Sequence, residues 1–295
     1  MGKIRDIVTG TLHKWSNDDG ITDSAALSFI MLMSLPALLL FLLSVSSFFL
    51  REETIQESIL EYVSAVATET TIEILNTLFQ QIPETSTLTL GLLISFALFL
   101  WTAGNLFLQL EKTINRMWNV SYENSTWYEE LIKKRISAFV AVFIFVLLVV
   151  LITVFEVIFF SVSQQLDQFL PIPAWAIQSI SSVANFLILV LFFIYLYRVL
   201  PQTKMDYKYV VTGSFLTVAF VTLGKYVFSL YLRYTDPTGM YGSVGSVLAI
   251  FLWIYLSAII VTVMVEFTKV YEDYETSQRR EQIQRSERLN LKYGS

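Results

Sequence analysis

The sequence predicts an all-α polytopic membrane protein with six transmembrane helices, and three observations carry that prediction. The 295 residues are 55% hydrophobic, with a mean hydropathy of +0.59, more apolar than a soluble domain of that length. The apolar residues gather into runs near the ~20 that carry a helix across a bilayer. The basic residues fall almost entirely into alternate loops, as the positive-inside rule requires.

At the N-terminus Ile4, Val8, Leu12 and Trp15 recur at helical spacing, with Lys3, Arg5 and Lys14 between them. This predicts a short helix over 3–16 lying on the membrane surface, with Trp15 at headgroup level; a plain soluble helix is the alternative. His13, the only histidine, sits on its polar face. Residues 17–20 (Asn-Asp-Asp-Gly) read as a turn, and span 1 runs from Ala25 to Leu50. Pro36 falls inside it, where it removes a backbone hydrogen bond and kinks the helix. The run exceeds the ~7–15 apolar residues of a cleavable signal peptide.

Residues 51–87 hold seven glutamates against one base, Arg51, and two apolar stripes at helical spacing. They predict two amphipathic helices capping one side. Span 2 is 88–110. Residues 111–135 combine Lys112, Arg116, Lys133, Lys134 and Arg135 with Trp118, Trp127 and Tyr128, the pattern of an interfacial elbow. Span 3 (136–162), span 4 (175–197), span 5 (209–232) and span 6 (243–267) follow. One domain, 1–270, results, and 271–295 is a polar tail, either a solvated helix or disordered.

Six spans put both termini on one side, and 17 of the 20 basic residues lie there. Both termini are therefore expected in the cytoplasm. The opposite surface carries two bases against nine acids.

Several chemistries are excluded. There is no cysteine and only one histidine, so neither a disulfide framework nor a zinc site of several histidines or thiolates can be built within one chain. No phosphate-binding loop, HExxH or GxSxG motif occurs, and no catalytic residue, metal or cofactor is expected. The tail balances five bases with five acids and makes a poor nucleic-acid arm.

Ionisable groups inside a span are costly and mark function by default. There are two, Glu156 and Lys225. At ~1.5 Å per residue both fall in the outer half, within ~5 Å of each other in depth. They are expected to face the interior and pair, or to share a polar cavity with Asn105, Asn185 and Tyr226. The alternative is snorkelling to the outer interface for the charged pair, and interhelical hydrogen bonding for Asn105, Asn185, Tyr195 and Tyr226. At the start of span 6, Gly242, Ser243, Gly245 and Ser246 either let a neighbouring helix approach closely or form a yielding helix start that acts with Pro36 as a gate. Glu111 and Glu266, at the cytoplasmic ends of spans 2 and 6, are expected at the interface, paired with Lys112, Arg116 or Lys269.

Four segments give the chain a family likeness: Ala25-Ala26-Leu27-Ser28-Phe29 through Ser34-Leu35-Pro36; Leu110-Glu111-Lys112-Thr113-Ile114-Asn115-Arg116-Met117-Trp118; Arg198-Val199-Leu200-Pro201; and Tyr241-Gly242-Ser243 through Trp253-Ile254-Tyr255-Leu256-Ser257 to Glu266. In order and spacing they resemble the YihY/BrkB family of polytopic prokaryotic membrane proteins, over nearly the whole chain from Trp15 to Glu266. Asn115 and Trp118 match the family's Asn-x-x-Trp elbow. Met264-Val265 departs from the Gly-Ala that the family often has before the final acid, which puts a close helix contact there in doubt. The resemblance implies a six-helix inner-membrane protein without settled biochemistry. Members once labelled ribonuclease BN are more often treated as transporters or envelope-integrity factors, and the absence of a histidine cluster or thiolates argues against the nuclease label here.

Two functions follow as expectations. The first is a transporter or flippase-like protein moving a lipid, amphiphile or ion through an intramembrane polar cavity, with membrane lipids as partners. The second is a non-catalytic scaffold that binds an envelope partner protein or another copy of itself through 51–87 or 271–295. An intramembrane enzyme is the least supported reading.

Overall fold

The computed structural model describes residues 2–49, 85–120, 174–203, 205–235 and 243–293, with five further positions between 140 and 148. Among the described residues every regular element is a helix: α1 (Gly2–Asn17), α2 (Gly20–Phe49), α3 (Thr85–Met117), α4 (Ala174–Val199), α5 (Tyr207–Thr235) and α6 (Ser243–Tyr293). Five of these contain a segment long and apolar enough to cross a membrane: Gly20–Leu38, Leu93–Met117, Ser182–Val199, Tyr207–Thr235 and Val247–Ser286. Lipid offers backbone groups no partner, so apolar runs close their hydrogen bonds internally as helices. The sixth expected span, 136–162, lies outside the described residues apart from Val140, Phe143, Ile144, Leu147 and Leu148, which are helical. The expected acidic cap, 51–87, also lies outside them, except for the first turn of α3.

Several boundaries differ from the sequence reading. The turn expected over 17–20 shrinks to Asp18-Asp19: the Asp18 amide donates to Lys14 O at 2.8 Å, Asp19 takes φ 56°, and Gly20 already begins α2. A Cβ at Gly20 would overlap the Trp15 indole, so only glycine lets the chain reverse this tightly. The elbow expected from residue 111 begins later, because α3 continues to Met117. Leu110, Ile114 and Met117 extend its buried face at helical spacing. The stop comes at Asn119, with φ 53°, where Val120 N donates to Asn115 O at 2.9 Å and Asn119 N to Arg116 O at 3.0 Å, a left-handed C-terminal cap. Of the two readings of the tail, the solvated helix is found: α6 runs unbroken through 271–293. Pro36 is exposed within α2, which continues on both sides of it.

The chain forms two compact units. Residues 30–105 make one. In it Ser34, Ala37, Ser95, Phe99 and Ala103 are buried, and Ser34 Oγ donates to Met31 O at 2.7 Å. Residues 1–29 and 106–295 make the other, in which α5 packs against both α4 and α6, and α1 against α6. On α1, Ile7 and Thr11 are buried while Ile4, Val8 and Leu12 are exposed. Gly213 of α5 lies so close to α6 that a Cβ would overlap Thr268.

Candidate functional site

The larger unit holds a cluster of buried polar groups where α1, the start of α2, the end of α3 and the middle of α6 converge. Glu266 is its centre and has no solvent exposure. Its partner is Lys14 of α1, whose ammonium contacts the Glu266 carboxylate and also donates to Met117 O at 2.6 Å. That carbonyl is one of those left open by the end of α3, where a cation is also favoured by the helix dipole. One lysine thus neutralises a buried acid and closes a helix end. Lys112, Arg116 and Lys269, the partners expected for Glu111 and Glu266, do not meet Glu266: Lys269 bonds Glu272 at 2.9 Å and Asp273 at 3.0 Å, and Arg116 pairs with Asp23. For Glu266 the expectation fails because α1 folds onto α6, which brings together residues 252 positions apart.

Around this pair the contacts continue. Trp15, expected at headgroup level, is half-buried and donates from Nε1 to Thr262 Oγ1 at 3.0 Å. Ser24 Oγ and Thr262 Oγ1 lie 2.7 Å apart. Trp118 is buried, donates from Nε1 to Val265 O at 3.0 Å and meets the Tyr197 ring edge-on at 6.4 Å. Tyr197 is fully buried, and its hydroxyl pairs with Thr217 Oγ1 at 2.8 Å. Asn115, also fully buried, accepts the Gln202 amide on Oδ1 at 2.9 Å. Arg198 donates to Met205 O and stacks over the Tyr207 ring at 4.3 Å, which fixes the turn between α4 and α5. Glu111 is buried on α3.

Next to the cluster opens a polar pocket of about 640 Å³, lined by Asp23, Gln109, Lys112, Asn115, Arg116, Asn119 and Val120. A second cavity of about 540 Å³ runs between α1, α5 and α6, with almost wholly apolar walls and Lys3 at its edge. The Glu275 carboxylate holds the Lys3 ammonium above its ordinary pKa through a hydrogen bond. Among the described residues no group of acids and histidine is placed to hold a metal ion.

The structure therefore assembles Asn115, Arg116, Trp118 and Glu266 at one place, with Glu111 on the same helix and Arg198 at the adjoining turn. Lys225 and Tyr226 are exposed on α5, a placement that fits the snorkelling alternative for Lys225. Asn105 and Asn185 are half-buried, on α3 and α4, and Gly245 is buried in α6. Ser243 and Ser246 belong to the start of α6, but nothing further is described of their side chains, and Glu156 and Gly242 lie outside the described residues. The sequence reading missed Lys14, Asp23, Ser24, Tyr197, Gln202 and Thr262. Only Asp23 carried a signal: an acid two residues before an apolar run needs a partner.

Long apolar helices whose buried polar groups gather at one end define an integral membrane protein. The family model described as Virulence factor BrkB matches residues 11–289, and the chain belongs to that family. Relatives include the UPF0761 membrane protein IL2447 of Idiomarina loihiensis, 28% identical over 121 residues, which are 40% of this chain and 41% of that protein. The ribonuclease-like protein YfkH of Bacillus subtilis is 25% identical over 260 residues, 85% of this chain and 88% of its own. The UPF0761 membrane protein MS0032 of Mannheimia succiniciproducens is 32% identical over 94 residues, 31% of this chain and 32% of its own. The matches to IL2447 and MS0032 thus span less than half of either relative. No solved structure matches the chain.

Proposed function

We propose that this protein is a transporter or flippase-like protein of a prokaryotic inner membrane, with six spans and both termini in the cytoplasm, moving a lipid, amphiphile or ion without covalent chemistry. The observation that carries this reading is the polar pocket lined by Asp23, Gln109, Lys112, Asn115, Arg116 and Asn119. It sits where α3 ends and α2 begins, at the depth where a substrate enters or leaves the apolar layer. The buried contacts around Glu266 support it by holding one wall of that opening in a fixed geometry. Glu156 and Asn185 remain candidates for the outer part of the path, and Gly242 to Ser246 for its gate.

The test is reconstitution of the purified chain in vesicles with a fluorescent lipid and a membrane-impermeant quencher. Protein-dependent loss of inner-leaflet fluorescence is expected. Flux no greater than that of protein-free vesicles, for lipid and for common ions, overturns the reading. Because the chain has no cysteine, single cysteines at 51–87 and near Tyr293 test topology directly: labelling from outside is expected at the former and not at the latter.

A second reading, a scaffold for an envelope partner or another copy of the chain, draws on α6. Its residues 277–286 are exposed, well beyond the apolar part of the helix. Removing 271–295 separates the two: a scaffold loses its partner, whereas a transporter keeps its flux.

A further inference from the structure

We propose that the pocket beside Asn115 is a phosphate-binding site that takes the headgroup of a membrane phospholipid. The inference rests on the transport reading for the lipid's onward movement and supplies its substrate class.

The chemistry of the lining selects the ligand. Asp23 is buried and already paired with Arg116, so the one acid among the described lining residues is committed to a cation that also lines the pocket. A guanidinium has five N–H donors in a fixed fork, and a single carboxylate leaves some of them for another acceptor. Lys112 is exposed and has no ion pair among the described residues, which leaves the pocket one positive charge in excess. Asn115 is fully buried. The Gln202 amide occupies its Oδ1 at 2.9 Å, which fixes how the amide group is turned, and its Nδ2 has no hydrogen-bond partner. A buried donor without a partner is costly in any resting protein. Gln109 and Asn119 add two more amide groups. The amides of Gln109 and Asn119 can turn either way, so the groups of fixed role left unspent are the Asn115 donor, the remaining Arg116 donors and the Lys112 ammonium, and what these lack is an anion with several acceptor oxygens. A phosphate supplies those oxygens to donors spaced around it, through charge-assisted hydrogen bonds. The opposite ligand, a metal cation, finds its one carboxylate already taken.

Place and size select the source. Lys112 and Arg116 lie in the last turns of α3, and Asp23 in the first turn of α2, where the two apolar segments meet the headgroup layer. The pocket, at about 640 Å³, has room for a glycerophosphate headgroup.

The experiment uses the full chain in detergent, measuring binding of phosphatidylglycerol, a neutral glucosyl diacylglycerol and inorganic phosphate. Phosphatidylglycerol is expected to bind and the glucosyl lipid not to. Lys112→Gln, at an exposed position, and Asn115→Asp, which keeps the acceptor for Gln202 and replaces the donor, are each expected to weaken phosphatidylglycerol about tenfold or more. Thermal unfolding of each variant shows that the fold is intact. Equal affinity for both lipids, or unchanged affinity in folded Lys112→Gln and Asn115→Asp, overturns the site. Inorganic phosphate that binds through the same residues without competition from the lipid overturns the lipid source. Phosphatidylglycerol binding through Lys112 with no lipid movement in vesicles removes the transport reading and leaves the site; movement at full rate in Lys112→Gln does the reverse.

Discussion

The two halves of α5 are both apolar, yet they are treated in opposite ways. Tyr209, Val210, Gly213, Ser214, Thr217 and Val218 of the first half are buried. In the second half Leu223, Tyr226, Val227, Leu230, Tyr231 and Tyr234 are exposed. The first half buries small and hydroxyl residues beside Tyr209 and exposes Val211, Phe215 and Phe220 on its other face, whereas no residue of α5 after Val218 is buried. α6 divides in the same way, with Thr262, Val265, Glu266 and Thr268 buried and Val247, Leu248, Ile250 and Phe251 exposed. In lipid, apolar surface gives helices no reason to associate, so close packing of small residues and polar contacts must hold them. The difference teaches that this unit is fastened at one end, where small and hydroxyl residues pack beside buried large ones such as Ile114, Met117, Trp118 and Tyr197.

The sharpest way to break the comparison is Lys14→Ala, which strands the Glu266 charge in a site without solvent and opens the Met117 carbonyl. A loss of about 3–5 kcal/mol is expected, read as a lower unfolding midpoint in detergent, and Glu266→Gln in the same chain should restore most of it. A Lys14→Ala protein as stable as the parent would dissolve the idea of a fastened end. Next comes Gly213→Val. Its new side chain meets the stiff, buried Thr268, so a loss of about 1–3 kcal/mol is expected, smaller in a Thr268→Ala background. Tyr197→Phe removes the hydroxyl pair with Thr217 and should cost about 1 kcal/mol, measured against Thr217→Val in a double-mutant cycle. In the exposed half, Leu230→Ala should change stability by no more than about 0.5 kcal/mol. A loss there as large as that at Gly213 would mean the outer half is packed after all. Glu275→Gln, which unfastens exposed Lys3 and Lys208, should have no measurable effect near neutral pH. The contact needs both charges: it is lost in acid as Glu275, held below its ordinary value by Lys3 and Lys208, takes up a proton, and in strong alkali as Lys3, held above its own, gives one up.

The helices were legible because lipid makes the local rule nearly sufficient: an apolar run of spanning length closes its own hydrogen bonds wherever its neighbours lie. Their ends were less so. The stop at Asn119 depends on a left-handed residue, and the reach of α3 to Met117 on apolar spacing carried past a charged stretch that read as an elbow. Within the site, Asn115, Arg116, Trp118 and Glu266 stood out as polar or aromatic groups at span ends. Their partners did not, since Lys14 with Glu266, Trp15 with Thr262 and Asn115 with Gln202 join residues far apart in the chain. Nothing local marks such pairs. Lys14 looked like any lysine on a surface helix, and Gln202 acts through its backbone amide, to which its side chain contributes nothing.

The unbroken length of α6 gives the Glu266 cluster a mechanical reach. From Glu266 to Tyr293 the helix extends ~40 Å at 1.5 Å per residue. Pivoting there by about 5° would sweep its far tip through about 3–4 Å, so a rearrangement too slight to notice beside Lys14 becomes a displacement that another protein could sense well away from the bilayer.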